Sequence, residues 1–132
     1  MDQKSLVTEQ IEAGRQFLSE FEKVVPVAVA FWMKTDNRVT WKLYVASEEF
    51  TEQNRHTFYE NVGGISHALK SPYLGLFRVK LIRVDHPVAR DILREAKRYA
   101  GRTPTQYEGS PLPGVTIEGI YVYPSPITVP VA

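Results

Sequence analysis

The sequence predicts a single α+β domain in which a four-stranded mixed sheet, beginning with an antiparallel hairpin, carries about three helices. Its 132 residues are the size of one ordinary domain. Two β-rich runs lie between residues 25 and 47, and three stretches with the apolar spacing of helices flank them. Residues 1–123 are assigned to the domain, and residues 124–132 to a Pro-rich C-terminal tail.

Composition and charge exclude several classes of protein. With 43% hydrophobic and 23% charged residues, the chain resembles an average soluble protein, so neither disorder nor a membrane span is expected. The polar N-terminal sequence predicts a cytoplasmic location. The absence of cysteine excludes disulfides, thiol catalysis and thiolate metal sites. The net charge of +1 is uneven, since residues 1–60 hold ten acidic against seven basic side chains and residues 78–102 hold eight basic against three acidic.

The first predicted element is a helix over residues 5–23, whose apolar residues recur every three or four positions and form one stripe. Gly14 lies in this stripe, where glycine costs roughly 1 kcal/mol relative to alanine. We therefore interpret Gly14 as a point of close approach between the helix and the sheet.

The hairpin between residues 25 and 47 organises the predicted sheet. Its first strand, residues 25–33, is apolar at both parities, which predicts an interior strand covered on both faces. Its second strand alternates, with Trp41 and Leu43 at the apolar parity and Lys42 at the polar one. Trp41 is therefore expected to be buried.

Two registers of this hairpin are considered. A two-residue loop at residues 36–37 places Trp32 opposite Trp41 and small alanines opposite large side chains. A three-residue loop places Met33 opposite Trp41, and such a one-residue slip exchanges the faces of a whole strand. We favour the two-residue loop, because small residues pack well against large ones.

A second helix is predicted between Ser47, as the N-cap, and Lys70. Glu48 and Glu49 then lie in its first turn, where carboxylates favour the positive end of the helix dipole. The pair Gly63-Gly64 interrupts the apolar face, so the segment is either one bent helix or two short helices.

The rest of the domain is predicted as a strand over residues 74–84, a helix over 87–100 and a strand over 115–123. Helical crossovers before the third and fourth strands favour parallel pairing there, and the alternative is a three-strand meander plus a fourth strand. Residues 101–114 hold three prolines and three glycines and form a long loop, of the kind that is often functional.

The three histidines show no metal-binding spacing. His56 and His67 are eleven residues apart, and His86 follows on a different element. The chain also lacks the nucleophile, phosphate-binding and dinucleotide motifs of common enzymes. Neither a metal site nor a cofactor is expected.

A small enzyme is one alternative function. Asp85 and His86 follow the third strand, and loops at strand ends commonly carry acid-base chemistry. Tyr107 and Glu108 in the long loop are the candidates for completing such a site. The structural interpretation, which we favour, is that Asp85 or His86 caps the next helix.

Binding of nucleic acid or another anion through the basic helix 87–100 is the other alternative. Its arginines recur every four residues on one face, and the guanidinium group suits phosphate. Interleaved carboxylates partly neutralise this face, so a solvated surface is favoured over a binding site. The candidate contacts are Arg78, Lys80, Arg90, Arg94 and Arg98.

The predicted order of elements is similar to the αβββαβ core of restriction-endonuclease-like folds, if the helix between Ser47 and Lys70 is an insertion. This resemblance implies an Asp on the second strand and a Glu-x-Lys motif on the third, which together hold magnesium. Here the third strand has Arg78-Val79-Lys80, and the one Glu-x-Lys, Glu95-Ala96-Lys97, lies on a helix. Nuclease activity of this kind is therefore not expected.

A non-enzymatic protein-interaction module is the function that we favour, with a second copy of the chain as the expected partner. The support is the absence of a catalytic constellation in the sequence. Tyr121, Tyr123 and the tail 124–132 are expected to form the exposed contact surface. Nucleic acid is the alternative partner, and no membrane partner is expected.

Overall fold

A computed structural model describes residues 8–35, 41–71, 74, 78–94 and 117–123 of the chain. These residues form three helices and four strands, which confirms the predicted α+β domain with a mixed four-stranded sheet. None of the described helices combines the length and the apolar character needed to cross a bilayer. In chain order the elements are α1 (Thr8–Phe21), β1 (Val29–Thr35), β2 (Lys42–Ala46), α2 (Arg55–Leu69), β3 (Val79–Ile82), α3 (Pro87–Arg94) and β4 (Ile117–Val122).

The strands lie in the order β3-β2-β1-β4. β2 and β3 are parallel, as their helical crossover predicts. The predicted parallel pairing of the last strand is wrong, because β4 pairs antiparallel with β1 at the opposite edge. The position of β4 follows from the sequence of β1, since a strand that is apolar on both faces needs a neighbour on each side to lie in the interior of the sheet.

Neither considered hairpin register is the observed one. Trp32 pairs with Leu43 and Ala30 pairs with Val45, so Trp41 lies beyond Trp32 rather than opposite it. This register is shifted by two residues from the one with the two-residue loop. An even shift leaves every side chain on its face of the sheet. The favoured assignment of faces is therefore correct although the pairing is not. Residues 36–40, which include the predicted loop, lie outside the described residues.

The sheet separates two apolar cores, and β1 contributes to both. On one face, α1 and α2 pack against Trp32, Trp41 and Leu43, and Trp41 is buried as its parity predicts. On the other face, α3 packs against Phe31 and Met33. Residues 29–34 of β1 are buried and β1 has a neighbouring strand on each side, which confirms that it is an interior strand.

Helix α1 approaches the sheet at Gly14, as predicted. A methyl group on Gly14 would lie 2.2 Å from the Tyr123 hydroxyl and 2.9 Å from the Trp32 indole nitrogen. That hydroxyl accepts a hydrogen bond from the Trp32 N–H (2.8 Å) and donates one to the Ile11 carbonyl (2.6 Å). One phenol thus joins α1, β1 and the end of β4.

Helix α2 begins at Arg55, later than predicted, and runs without interruption through Gly63-Gly64. Phe50 is completely buried in the core between the sheet and the two helices, so residues 48–54 form turns instead of a first helical turn. The Ser47 hydroxyl, predicted as the helix cap, accepts the backbone N–H of Glu49 (3.1 Å) in one of these turns.

Both outer strands of the sheet are covered. On β3, the backbone N–H of Leu81 donates to the Tyr59 hydroxyl of α2 (3.0 Å). On β4, the hydrogen bond from the Tyr123 N–H to the Ala30 carbonyl means that Ile120 and Val122 direct their backbone groups away from β1. Those two residues are each only 2% exposed. The described edges therefore offer no open strand for pairing with another chain.

Replacement of Gly14 by alanine tests the close approach of α1. The new methyl group would overlap the Tyr123 hydroxyl, so Gly14→Ala should lower the free energy of unfolding by about 3 kcal/mol. Gly64→Ala is the matched control, because a methyl group there meets no atom within 4 Å. It should stabilise α2 by up to about 1 kcal/mol. Chemical denaturation measures both, and equal effects would contradict the proposed packing.

Removal of the Tyr59 hydroxyl tests the closure of the β3 edge. Tyr59→Phe leaves the buried Leu81 N–H without its acceptor, which should cost about 1 to 3 kcal/mol in urea denaturation. Tyr121→Phe is the control, because the Tyr121 hydroxyl makes no side-chain hydrogen bond in the described part of the chain. A loss no larger than that of the control would mean that the hydroxyl does not stabilise the edge.

Candidate functional site

The candidate site is a cavity of about 220 Å³ where β1 begins and β2 ends. We call it the strand-end pocket. Its apolar wall is formed by the residues that lead into β1, and its other side by the residues that follow β2. It combines apolar surface with two carboxylates at one end of the sheet. The lining residues are Pro26, Val27, Ala28, Ser47, Glu48 and Glu49.

The apolar wall arises from the way α1 ends. The amides of Val24 and Val25 both donate to the Phe21 carbonyl, and Pro26 then prevents further helix because it has no N–H. Val25 turns inward and is 2% exposed, whereas Val24 is 43% exposed. The segment from Val24 to Ala28 thus leaves apolar surface in solvent beside the pocket.

The acidic side is held by local hydrogen bonds. The N–H of Glu49 binds the Ser47 hydroxyl, and the Glu49 carbonyl accepts from the Asn54 amide (2.8 Å). The backbone is therefore positioned while both carboxylates extend into solvent. Neither Glu48 nor Glu49 has an ion-pair partner among the described residues. A cationic group from another molecule would therefore displace no partner that belongs to the described part of the chain.

A second, larger depression of about 470 Å³ lies along α1 between Thr8 and Gln16. Two acidic residues, Glu9 and Glu12, line it, and the Arg15 guanidinium binds the Glu12 carboxylate and lowers its pKa. One of the two charges in this groove is thus compensated within the helix, whereas neither carboxylate of the strand-end pocket has an ion-pair partner among the described residues. The strand-end pocket is therefore the better candidate for a charged ligand.

The candidate acid-base pair has a structural role. The His86 Nδ1 accepts the N–H of Val88 (3.2 Å), and its carbonyl accepts the N–H of Arg90 (2.8 Å), so His86 caps α3. Asp85 lies 3.8 Å from the guanidinium of Arg83. The side chains of Asp85 and His86 form no hydrogen bond with each other in the described part of the chain. The other two members of the candidate enzyme site, Tyr107 and Glu108, lie outside the described residues.

The candidate anion contacts fall into two groups on the same side of the sheet. Arg90 and Arg94 are exposed on the outer surface of α3, whose opposite side is buried. Lys80 is exposed at the parity of Ile82, which packs beside α3, and Arg78 is partly buried just before β3. Arg94 binds the Asp91 carboxylate (2.6 Å), so its charge is partly compensated. The fifth contact, Arg98, lies outside the described residues.

The expectation of an exposed contact surface is wrong for Tyr123. Tyr123 is 4% exposed and bonds to Trp32 and Ile11, and burial raises its pKa. Tyr121 is half-buried and packs edge-on against Tyr123 with ring centroids 5.3 Å apart. A tyrosine can be buried when its hydroxyl finds a partner, which the sequence alone does not reveal. The Pro-rich tail 124–132 lies outside the described residues.

The sequence contains a signal for the strand-end pocket that the element assignments missed. Pro26 interrupts the apolar run that begins at Val24, which indicates a connection rather than a strand start. Glu48 and Glu49 were expected in a helix, where they would serve the helix dipole. Because they lie in a turn instead, their carboxylates remain available to another molecule.

Titration of His86 gives a pH prediction. Burial lowers its pKa from the ordinary value of 6.5, and the Asp85 charge opposes this shift. The unfolded chain therefore takes up the proton first as pH falls. Stability should be full above the ordinary pKa of 6.5 and decrease as the pH falls below it, since the protonated Nδ1 can no longer accept the Val88 N–H.

Thermal melts across this pH range measure the effect. His86→Asn keeps a capping side chain without a titrating group, so its stability should change less with pH than that of the wild type. His67→Asn alters an exposed histidine of α2 and should behave like the wild type. Parallel pH profiles for all three proteins would show that His86 does not couple folding to protonation.

Metal-binding groups do not converge in the described part of the chain. No three His, Asp or Glu side chains there are placed to hold a metal ion. His56 and His67 lie on the continuous helix α2, whose rise of about 1.5 Å per residue keeps them far apart.

No family model matches the chain, and neither the curated proteins nor the solved structures contain a match to it. The function is therefore inferred from the contacts, burial and charges described above.

Proposed function

We propose that this chain is a non-enzymatic protein-interaction module that binds its partner at the strand-end pocket. The observation that supports this most is the exposed apolar surface within residues 24–28 beside the carboxylates of Glu48 and Glu49, which have no ion-pair partner among the described residues. Apolar surface supplies affinity on contact, and uncompensated charge supplies orientation. A cytoplasmic location belongs to the same proposal, from a composition close to that of an average soluble protein.

The chemistry of the pocket specifies the kind of partner. Two adjacent carboxylates attract an arginine or lysine side chain, and an arginine can bind a carboxylate through two parallel hydrogen bonds. The wall formed by Pro26, Val27 and Ala28 favours an aliphatic side chain next to that cation. The partner is therefore expected to present an aliphatic residue flanked by basic residues.

The covered sheet edges support the same location. Strand addition needs an exposed row of backbone donors and acceptors. At the β3 edge, the Tyr59 hydroxyl already binds the Leu81 N–H, and the outward residues of β4 are buried. Binding through side chains at the end of the sheet is thus favoured over binding through an edge.

Binding of nucleic acid or another anion through the basic helix is the second candidate. It is supported by the exposed Arg90 and Arg94 on α3, with Lys80 exposed on the same side of the sheet. It is opposed by the ion pair of Arg94 with Asp91 and by a net charge of only +1. An enzyme at Asp85 and His86 has less support, because the cap of α3 uses the His86 Nδ1.

Nuclear magnetic resonance with short peptides tests the proposed module. The peptide acetyl-Arg-Leu-Arg-amide, titrated to about millimolar concentration, should shift the amide signals of Val27, Ala28 and residues 47–49. The peptide acetyl-Glu-Leu-Glu-amide should not, because its charges repel the carboxylates of the pocket. Shifts should weaken as salt rises, since exposed charges are screened.

The double variant Glu48→Gln with Glu49→Gln should lose these shifts while keeping the fold. The matched control, Glu9→Gln with Glu60→Gln, removes two exposed carboxylates from α1 and α2 and should bind as the wild type does. No shift with the basic peptide, or equal shifts with both peptides, would overturn the proposal.

A further inference from the structure

The outer surface of α3 carries an exposed apolar side chain next to an arginine. Val88, Ala89 and Ile92 are buried against the sheet, so the remaining positions extend outward. Leu93 is 40% exposed, and Arg90 and Arg94 are exposed as well. Side chains three and four positions apart are neighbours on a helix surface, so Arg90 has Leu93 on one side and Arg94 on the other. These three residues form one patch with Arg90 at its centre.

This α3 patch, defined by Arg90, Leu93 and Arg94, matches the strand-end pocket in two respects. The pocket has an apolar wall and two carboxylates, whereas the patch has an apolar side chain and two guanidinium groups. Val24, beside the pocket, and Leu93 are the two large apolar side chains that are exposed among the residues described by the structure.

The existing ion pairs leave these charges available. Arg90 has no ion-pair partner in the described ranges, and Asp91 compensates only Arg94. Glu48 and Glu49 are likewise uncompensated there. Arg83, the cation that follows β3, donates to the Phe50 carbonyl (2.6 Å) and lies near Asp85. Among the described residues, Arg83 and Arg94 are thus engaged away from the pocket.

We propose that the partner of the strand-end pocket is the α3 patch of a second copy of this chain. This inference rests on the proposed function and names its partner. Leu93 of one copy packs against the wall formed by Pro26, Val27 and Ala28 of the other. Arg90 and Arg94 then face the partner copy's carboxylates. The two surfaces are different parts of one chain, so the contact is either exchanged within a two-fold pair or repeated from copy to copy.

Sedimentation equilibrium and light scattering test the self-association. The contact is small, so the wild type should show a mass above that of one chain only at high concentration, on the order of millimolar. The excess mass should disappear in high salt. Leu93→Ser should weaken the association without any change in charge.

Charge reversal separates this contact from other surfaces. Glu48→Arg with Glu49→Arg makes both surfaces basic, and Arg90→Glu with Arg94→Glu makes both acidic. Neither double variant alone should associate. Their equimolar mixture should, because every contact between unlike variants pairs opposite charges. Circular dichroism confirms that each variant is folded.

Glu9→Arg with Glu60→Arg is the matched control, since it changes the net charge equally at exposed positions away from the pocket. It should associate as the wild type does. A wild type that stays monomeric at low salt, a mixture that fails to associate, or a control that loses association would each overturn the self-partner.

The peptide titration distinguishes failure of the self-partner from failure of the proposed function. If the wild type is monomeric and the Arg-Leu-Arg peptide still shifts the pocket signals, the self-partner is wrong and the module binds another chain. If the peptide also fails, the proposed function fails with it.

Discussion

The contact of Gly14 with Trp32 and Tyr123 is the constraint on which the packing of this domain depends. The Tyr123 hydroxyl accepts the Trp32 N–H and donates to the Ile11 carbonyl, so three buried polar groups satisfy one another. Tyr123 and Ile11 are separated by 112 residues. The bond between them holds the final strand against the first helix, and it forms only because residue 14 has no side chain.

A similar close approach occurs at the other end of β4. A methyl group on Gly119 would lie 2.7 Å from the Trp41 ring. Trp41 is 3% exposed and covers this position from β2. The large aromatic residues of the hairpin, Trp32 and Trp41, thus need small residues on the neighbouring elements. The pairs Gly14–Trp32 and Gly119–Trp41 set the spacing of α1 and β4 about β1.

The edges of the sheet and the rest of the described surface differ in what they expose to solvent. Side chains cover both outer strands, so backbone pairing with another chain is not available at the described edges. Exposed charged side chains lie instead at one end of the sheet and on α3. One end presents Glu48 and Glu49 beside apolar residues, and α3 presents its arginines on one face of the sheet. The proposed contact between copies pairs these opposite charges.

Local patterns predicted the sheet and the faces of its central strands. The apolar run of β1 and the alternation around Trp41 depend only on which side chains share a parity, and parity is a property of one strand. The close approach at Gly14 was also predictable, because glycine in an apolar helical stripe has a cost that packing must offset. A cap at Asp85 or His86 was predicted from the place of both residues before Pro87, and the structure selects His86.

Features that depend on two segments far apart in the sequence were determined only by the tertiary structure. The hairpin register, the antiparallel partner of β4 and the burial of Tyr123 each require a neighbour that is far away in the sequence. The start of α2 was decided by the burial of Phe50, which removes residues 48–54 from the helix. For the same reason, the candidate site could not be recognised from the sequence alone. Pro26 and Glu48 are neighbours only because β1 and β2 pair antiparallel, and neither residue by itself indicates a binding site.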